Sequence, residues 1–384
     1  MRGGENEVIK LKRKEECCGC SACQQICPQS CISMKKDIEG FLYPLVDKER
    51  CINCNLCNTI CPIINHTEWD DAIIKSYVGY STNEEIRLKS SSGGIFSVLA
   101  EYILKSGKAV IYGATLDKNQ KVYHMRIDSI SNLDLLRRSK YLQSKINETF
   151  KNAKMDLEAG LDVLYSGTAC QIAGLKAFLR KEYKNLYTID VLCHGVPSPK
   201  VWNAYTKWQK NKNNVNIREV YFRDKESGWK NYSMKLVFDN EKNYIKPHGS
   251  DMYSQVFLSE ICLRPSCHEC KFKGLNRLSD LTLGDAWGID KCMPEMDDDK
   301  GTSVIIVHSI KGQELLSKIK NAVNIMEIDI DKILPSSSDS RKSVQAHKRR
   351  TQFFKLLNIF DYKIFSIWKQ YVRCQRIKTK IRKQ

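Results

Sequence analysis

Long apolar runs are missing from this chain of 384 residues: no stretch of eighteen apolar residues occurs, so a membrane-spanning helix is not expected. The opening residues, MRGGENEVIKLKRKEE, lack the apolar segment of a secretory signal. Low-complexity tracts are absent as well, and a hydrophobic fraction of 42% argues against general disorder. Acidic residues run short in one place. Residues 341–384 hold fourteen Lys and Arg against the single acid Asp361, which is +13 of a net charge of +18. Such a tail points to an anionic partner, a membrane surface or an acidic protein. The rest of the chain shows no nucleic-acid motif, so nucleic acid is not expected.

Cysteine is what the chain has in excess. Seventeen cysteines without a secretory signal predict a reducing, cytoplasmic setting in which thiolates hold metal instead of pairing as disulfides. Cys17, Cys20, Cys23 and Cys27 before Pro28 spell C-x2-C-x2-C-x3-C-P, and Cys51, Cys54, Cys57 and Cys61 before Pro62 repeat it. A short loop of this spacing turns three thiolates onto one cubane, while the fourth cysteine, ahead of proline, reaches the other cluster. Cys17, Cys20, Cys23 and Cys61 are therefore assigned to one [4Fe–4S] cluster, and Cys51, Cys54, Cys57 and Cys27 to a second. Zinc knuckles and disulfide scaffolds do not need the third cysteine of each loop. The chain is read as an electron carrier.

Three segments follow. Residues 1–68 form a two-cluster ferredoxin-like α+β unit, with Ile32, Met34, Phe41, Tyr43 and Val46 on two short strands that meet at Glu39-Gly40. Residues 76–335 alternate strands and helices: a helix over 94–108 with Ile95, Val98, Leu99, Tyr102 and Ile103 on one face, strands at 109–116, 162–167 and 186–193, and helices between them. This is the pattern of an α/β layered domain. Residues 341–384 are basic, with Phe353, Leu356, Leu357, Phe360, Ile364, Ile367, Trp368 and Tyr371 at helical spacing. That stripe either lies in a membrane interface or docks on the chain's own core.

Four more cysteines stand where strands end or loops begin: Cys170, Cys193, and the C-x2-C pair Cys267 and Cys270. Four thiolates make one further cubane or one structural zinc. Cys18, Cys31, Cys262, Cys292 and Cys374 are left as buried small hydrophobes. SSSGG (90–94) opens a helix, and bare N–H groups there suit either a plain cap or a phosphate. Among proton donors, His194 reads as a partner of the nearby cluster, and no catalytic acid is assigned.

The segments SSSGGIFSVLAEYIL, SKYLQS (139–144), YSGTACQIAGLKAFL, VLCHGVPSPKVW, FRDKESGW (222–229), RPSCHECKFKG, DLTLGDAWGI (280–289) and DDDKGTS (297–303), in this order, resemble the beta-subunit family of coenzyme F-420 hydrogenases and dehydrogenases, here fused to a two-cluster ferredoxin. The resemblance implies FAD and a third [4Fe–4S] cluster, the latter on Cys170, Cys193, Cys267 and Cys270. It places flavin contacts at Ser91, Ser92, Gly93 and Gly94, at Ser139, Lys140, Tyr141, Gln143 and Ser144, and at Gly167, Thr168 and Gln171. The implied function is a ferredoxin-dependent flavin oxidoreductase. Electrons would pass from an external ferredoxin, or another low-potential donor, through three clusters and FAD to an organic substrate, such as a sugar or lipid-linked sugar. The alternative is an electron-transfer subunit whose catalytic partner is another chain. Clusters carry single electrons whereas organic substrates take pairs, and a flavin joins the two. Attachment of the basic tail to the inner face of the membrane would bring a lipid-linked substrate to the flavin.

Overall fold

The computed structural model describes residues 9–66 and 73–370. In the cysteine-rich segment β1 (Ile32–Lys36) and β2 (Leu42–Val46) pair antiparallel, Ile32 opposite Val46. The Asp37 carboxylate accepts the N–H groups of Glu39 at 3.0 Å and Phe41 at 2.9 Å and so closes the turn. Gly40 sits there at φ +90°, and a Cβ on it would come within 2.5 Å of Lys200 Cβ. Only glycine satisfies both the left-handed backbone and the close approach of the next segment.

The strands that follow are β3 (Lys75–Ser81), β4 (Ala109–Leu116), β5 (Val122–Ile127), β6 (Asp162–Thr168), β7 (Leu186–Val191), β8 (Ile217–Asp224), β9 (Ser233–Phe238), β10 (Asn243–Pro247), β11 (Leu281–Asp285), β12 (Ser303–Val307) and β13 (Val323–Glu327). Eight of them form one sheet in the order β13-β3-β12-β11-β7-β6-β4-β5, and β8, β9 and β10 form a separate antiparallel sheet. The centre, β11-β7-β6-β4, is parallel, and the outer pairings are antiparallel. The expected strand–helix alternation thus holds for the middle of the sheet, and the whole is a mixed α/β sheet. Central strands such as AVIYGATL read clearly because both faces are covered, which makes them continuous apolar runs. The edge strand β13 has only Val323 buried and gives no such signal.

The helix expected over 94–108 spans Ile95–Leu104. Ile95, Val98, Leu99 and Ile103 are buried as expected, while Tyr102 is exposed.

One apolar cluster crosses all three expected segments. It takes Phe41 and Tyr43 from the hairpin, Trp202 and Tyr205 from the Pro199–Asn213 helix, and Phe353, Phe354, Leu357, Ile364, Phe365 and Trp368 from the C-terminal stretch. The single amphipathic helix expected there is broken. Arg350–Phe360 is helical, Asp361 turns at φ +47°, and helix resumes over 364–370. Lys207 pairs with Asp361, and Trp208 Nε1 donates to Ser366 Oγ at 3.0 Å, so both halves turn their apolar side inward. The docking alternative therefore accounts for Phe353, Leu357, Ile364 and Trp368, which are not available to a membrane. Tyr371 and the basic run to Lys383 lie outside the described residues. Among those described, no helix is long and apolar enough to cross a membrane.

Candidate functional site

Parallel strands in an α/β sheet aim their carboxyl ends at one edge, and ligands collect there. In this chain β6 leads to Cys170, β7 to Cys193 and β11 to Asp285. At the end of β6, Thr168 caps the Ala169–Leu179 helix in a reciprocal box with Gln171, which places Cys170 in the first turn, its Sγ 3.2 Å from Thr168 Oγ1. Cys267 lies in the short Pro265–Glu269 turn and receives the Val196 N–H at 3.5 Å. The N–H of Cys270 donates to Ser343 Oγ at 2.9 Å.

These four cysteines, which are separated by up to a hundred residues in sequence, line one cavity of about 330 Å³. Among the described residues no three His, Cys, Asp or Glu side chains close on a single ion. Burial pushes the Cys193 thiol up to about 12, and the neighbouring Cys170 adds to it; Cys267 and Cys270 move the same way for the same first reason. Lys273 and Arg277 oppose this at Cys193 and Cys270, and these cations would offset the charge of about −2 that a four-thiolate cluster would carry there. His194 and His268 also line the cavity; His268 Nδ1 donates to Val344 O at 3.0 Å, which leaves its buried Nε2 as the acceptor of the neutral ring, and His194 Nε2 lies 3.6 Å from Glu260 Oε1.

The N-terminal cysteines gather as two groups. Cys27, Cys51, Cys54 and Cys57 line a second cavity of about 160 Å³. The Cys23 thiol is raised by burial first and then by Cys17 and Cys61; Cys20 is drawn down by Cys18 but raised on balance by burial, with Cys23 and Cys61 adding to it. Each loop thus has the other loop's last cysteine beside it.

Cys18 and Cys31 are buried in apolar clusters, as expected of them, and each also adjoins one of the cysteine groups. Cys31 lines the smaller cavity with its Sγ 3.3 Å from Cys27 Sγ. Cys18 lines the larger one and lies beside both Cys170 and Cys20. Cys20 in turn lies on the helix that carries Cys170: a Cβ on Gly174 would come within 2.7 Å of Cys20 Cβ. Cys18 therefore stands between a thiol of the N-terminal unit and a thiol of the sheet domain. Cys262 is packed in the apolar core and Cys292 ends a short helical turn, in line with the structural reading given to both. Cys374 is outside the described residues.

A buried cation fixes this junction. Arg264 is fully buried and donates to Cys17 O at 2.7 Å, Gln143 Oε1 at 2.9 Å and Leu42 O at 3.0 Å. Gln143 then donates to Cys18 O at 3.2 Å. Gly19, at φ +73°, leaves room for both, since a Cβ there would lie 2.6 Å from Gln143 Nε2. Gln25 adds a further tie, with its Oε1 accepting the N–H of Phe150 at 3.0 Å.

The flavin candidates divide into two groups. Ser91 Oγ accepts the Ser139 N–H at 2.8 Å, and Ser92 O accepts from Lys225 Nζ at 3.2 Å, so the SSSGG, SKYLQS and FRDKESGW segments converge. Gly93 packs on β3, where a Cβ would meet Gly79 O at 2.4 Å, and Gly94 caps the Ile95–Leu104 helix at φ +85°. Lys140 is sheathed by three carbonyls, with Arg137 O at 2.6 Å, and its pKa is held down to about 7 by burial. Ser144 and Gln171 belong to a closed network: Gln171 Nε2 donates to Ser144 Oγ, which meets His124 Nδ1, each at 2.9 Å. Of the twelve candidates only Thr168 lines the larger cavity, where Gly167 is its neighbour in sequence.

Residues 161–333 match the family model for the C-terminal part of the beta chain of coenzyme F420 hydrogenase/dehydrogenase. The match contains Cys170, Cys193, Cys267, Cys270 and Asp285, whereas SSSGG and SKYLQS lie before it. A comparison with curated proteins finds no match. Among solved structures, the chain is similar to a chain of the F420-reducing [NiFe] hydrogenase complex from Methanosarcina barkeri, at 19% identity and a TM-score of 0.48, covering 68% of this chain and 84% of that one. Over residues 161–333, this chain is similar to the C-terminal part of the coenzyme F420 hydrogenase/dehydrogenase beta-subunit family.

Proposed function

We propose that this chain is an electron-transfer subunit of the beta-subunit type, built to hold three [4Fe–4S] clusters and FAD. The family match supports this reading ahead of a self-sufficient reductase of a sugar or lipid-linked sugar. One observation carries it. Cys20 packs against Gly174, one helical turn from Cys170, and Cys18 lies beside both thiols. The N-terminal cysteines and the sheet-domain cysteines therefore form one continuous line inside the protein.

The clusters would supply single-electron transfer, and the flavin would supply the change from single to paired electrons. The chain's own residues do the rest. Cys17, Cys20, Cys23 and Cys61 hold the middle group, Cys27, Cys51, Cys54 and Cys57 the outer group, and Cys170, Cys193, Cys267 and Cys270 the inner one. Arg264 and Gln143 fix the loop between middle and inner groups. The outer group has the exposed Cys54 on its wall, which suits entry from a low-potential donor such as an external ferredoxin. FAD would lie where SSSGG, SKYLQS and FRDKESGW converge at the carboxyl edge. The acceptor would be a deazaflavin of the coenzyme F420 type, or a partner chain that uses one.

Anaerobic purification with iron, zinc and flavin analysis tests this. About twelve irons, little zinc and bound FAD are expected, at four irons per cubane. The Cys267→Ser, Cys270→Ser double variant should lose about four irons and keep the others. An unchanged iron count in that variant, or zinc in place of iron, overturns the inner-group assignment. Absence of flavin from well-folded, cluster-loaded protein overturns the flavin reading.

A further inference from the structure

At the carboxyl end of β11, next to β7 in the sheet, lies a buried cation with three of its five N–H donors unused. Arg223, at the end of β8, has a side chain only 2% accessible. Its Nη1 pairs with Asp285 Oδ2, while Nε and Nη2 are buried with no hydrogen-bond partner. Asp285 cannot readily serve them. Its other oxygen takes the indole N–H of the fully buried Trp229 at 2.9 Å. The free pair, Nε and Nη2, is the side edge of the guanidinium, whose parallel N–H groups match the two oxygens of a carboxylate or phosphate. A second cation, Lys225, lies two residues on; its three acceptors are the carbonyls of Arg87, Ser92 and Lys300, so it brings no carboxylate with it. Buried polar donors without partners are rare in folded proteins and call for a ligand or an equivalent explanation.

An aromatic wall adjoins this edge. Trp287 stacks on Trp229 at 4.5 Å and 8°, yet is itself 44% exposed. The Arg223 guanidinium carbon is 4.6 Å from the Tyr232 ring centre and 5.2 Å from that of Trp287. Beyond Trp287 the chain turns at Gly288, φ +85°, with open space where a Cβ would point.

We propose that the free edge of Arg223 is an anion receptor for a ligand carrying a carboxylate or phosphate, whose ring packs on the exposed face of Trp287. The inference deepens the proposed function, on which it rests for the identity of the ring. The anionic group belongs either to the flavin or to the acceptor. The shared chemistry is an oxyanion pair read bidentately.

The test uses the full-length, anaerobically prepared protein. Binding of riboflavin, FMN and FAD, and of a phosphate-bearing deazaflavin and its dephosphorylated form, is measured for wild type and for Arg223→Lys, which keeps the charge and loses the fork. A bidentate, charge-assisted contact predicts about tenfold or greater loss for the anionic member of one pair and little change for its neutral analogue. Loss confined to FMN and FAD assigns the receptor to the flavin phosphate. Loss confined to the phosphate-bearing deazaflavin assigns it to the acceptor. Equal affinities in both proteins across all pairs overturn the proposal. A second measurement needs neither bound cofactor nor a well-folded Arg223 variant. Inorganic phosphate is titrated into wild type and Trp287→Phe while tryptophan emission is followed, with chloride at equal ionic strength as the blank. A saturable change present in wild type and lost in Trp287→Phe supports the receptor, and no change in wild type overturns it. Missing iron or flavin in the purified protein would count against the proposed function and leave the phosphate result standing.

Discussion

The junction between the cysteine-rich unit and the sheet domain depends on single side chains with little freedom to change. Arg264 directs its charged donors at two backbone carbonyls and one amide oxygen, so no carboxylate balances it. Arg264→Leu should destabilise the fold by about 3–5 kcal/mol, because Gln143 and the carbonyls of Cys17 and Leu42 lose a buried charged partner. Chemical denaturation of the anaerobic protein measures it, and a loss below about 1 kcal/mol would mean that water replaces the guanidinium. Gly174→Ala puts a methyl group 2.7 Å from Cys20 Cβ and 3.0 Å from Cys20 Sγ. Overpacking of this kind costs about 1–3 kcal/mol, and the displaced Cys20 should make the middle group's iron the first to be lost on exposure to chelator. Cys18→Ala separates a neighbouring thiol from a ligand: the iron count should hold, while the spin coupling and potentials of the two flanking clusters should shift. A drop of about four irons would instead make Cys18 a ligand.

At the scale of elements, the C-terminal helix shows how little an amphipathic stripe says about what covers it. Leu357 is fully buried against Trp202 and Tyr205 of the same core cluster, while Ile359, two residues on, is 72% exposed. Leu357→Ala should cost about 2–5 kcal/mol and Ile359→Ala less than about 0.5 kcal/mol. Equal effects, read as shifts in denaturation midpoint, would place the helix off the core. Arg350, at the helix start, pairs with Glu39 of the hairpin turn, and Lys200 bonds Asn358, so this helix also ties the cysteine-rich unit down. The three segments expected from the sequence are thus held by shared contacts.

For the molecule as a whole, stability should fall on mild acidification. Burial holds His124 and His308 down to about 4 from the ordinary 6.5. Both stay neutral in the folded state, with His124 between Ser144 Oγ and Ser166 O, each at 2.9 Å, and His308 on Thr282 Oγ1 at 2.8 Å. The unfolded chain takes up protons first, below about 6.5, so the folded state is favoured in full above that value and loses ground as the pH drops toward 4. Thermal melts between pH 7.5 and 5 should show this slope. His308→Gln, which keeps a polar partner for Thr282 and removes the titration, should flatten it, and an unchanged slope would assign the acid sensitivity to other groups.

Much of the chemistry was written locally. The doubled C-x2-C-x2-C-x3-C-P run points to two clusters because ligand geometry there is a matter of loop spacing, and the central strands β4, β6 and β7 announced themselves as apolar runs because they are covered on both faces. Other features depend on residues that meet only when the sheet assembles. Cys18 reads as a spare thiol until folding sets it beside Cys170, and Gln143 reads as part of a cofactor segment until its amide is found on Cys18 O. Arg223 sits in a strand of the smaller sheet, yet its pairing with Asp285 and its unused edge exist only because that sheet packs on the end of β11. Local spacing determines which atoms can hold a metal. Contacts between distant segments decide which sites lie next to one another, and for the proposed electron transfer that adjacency would set the route.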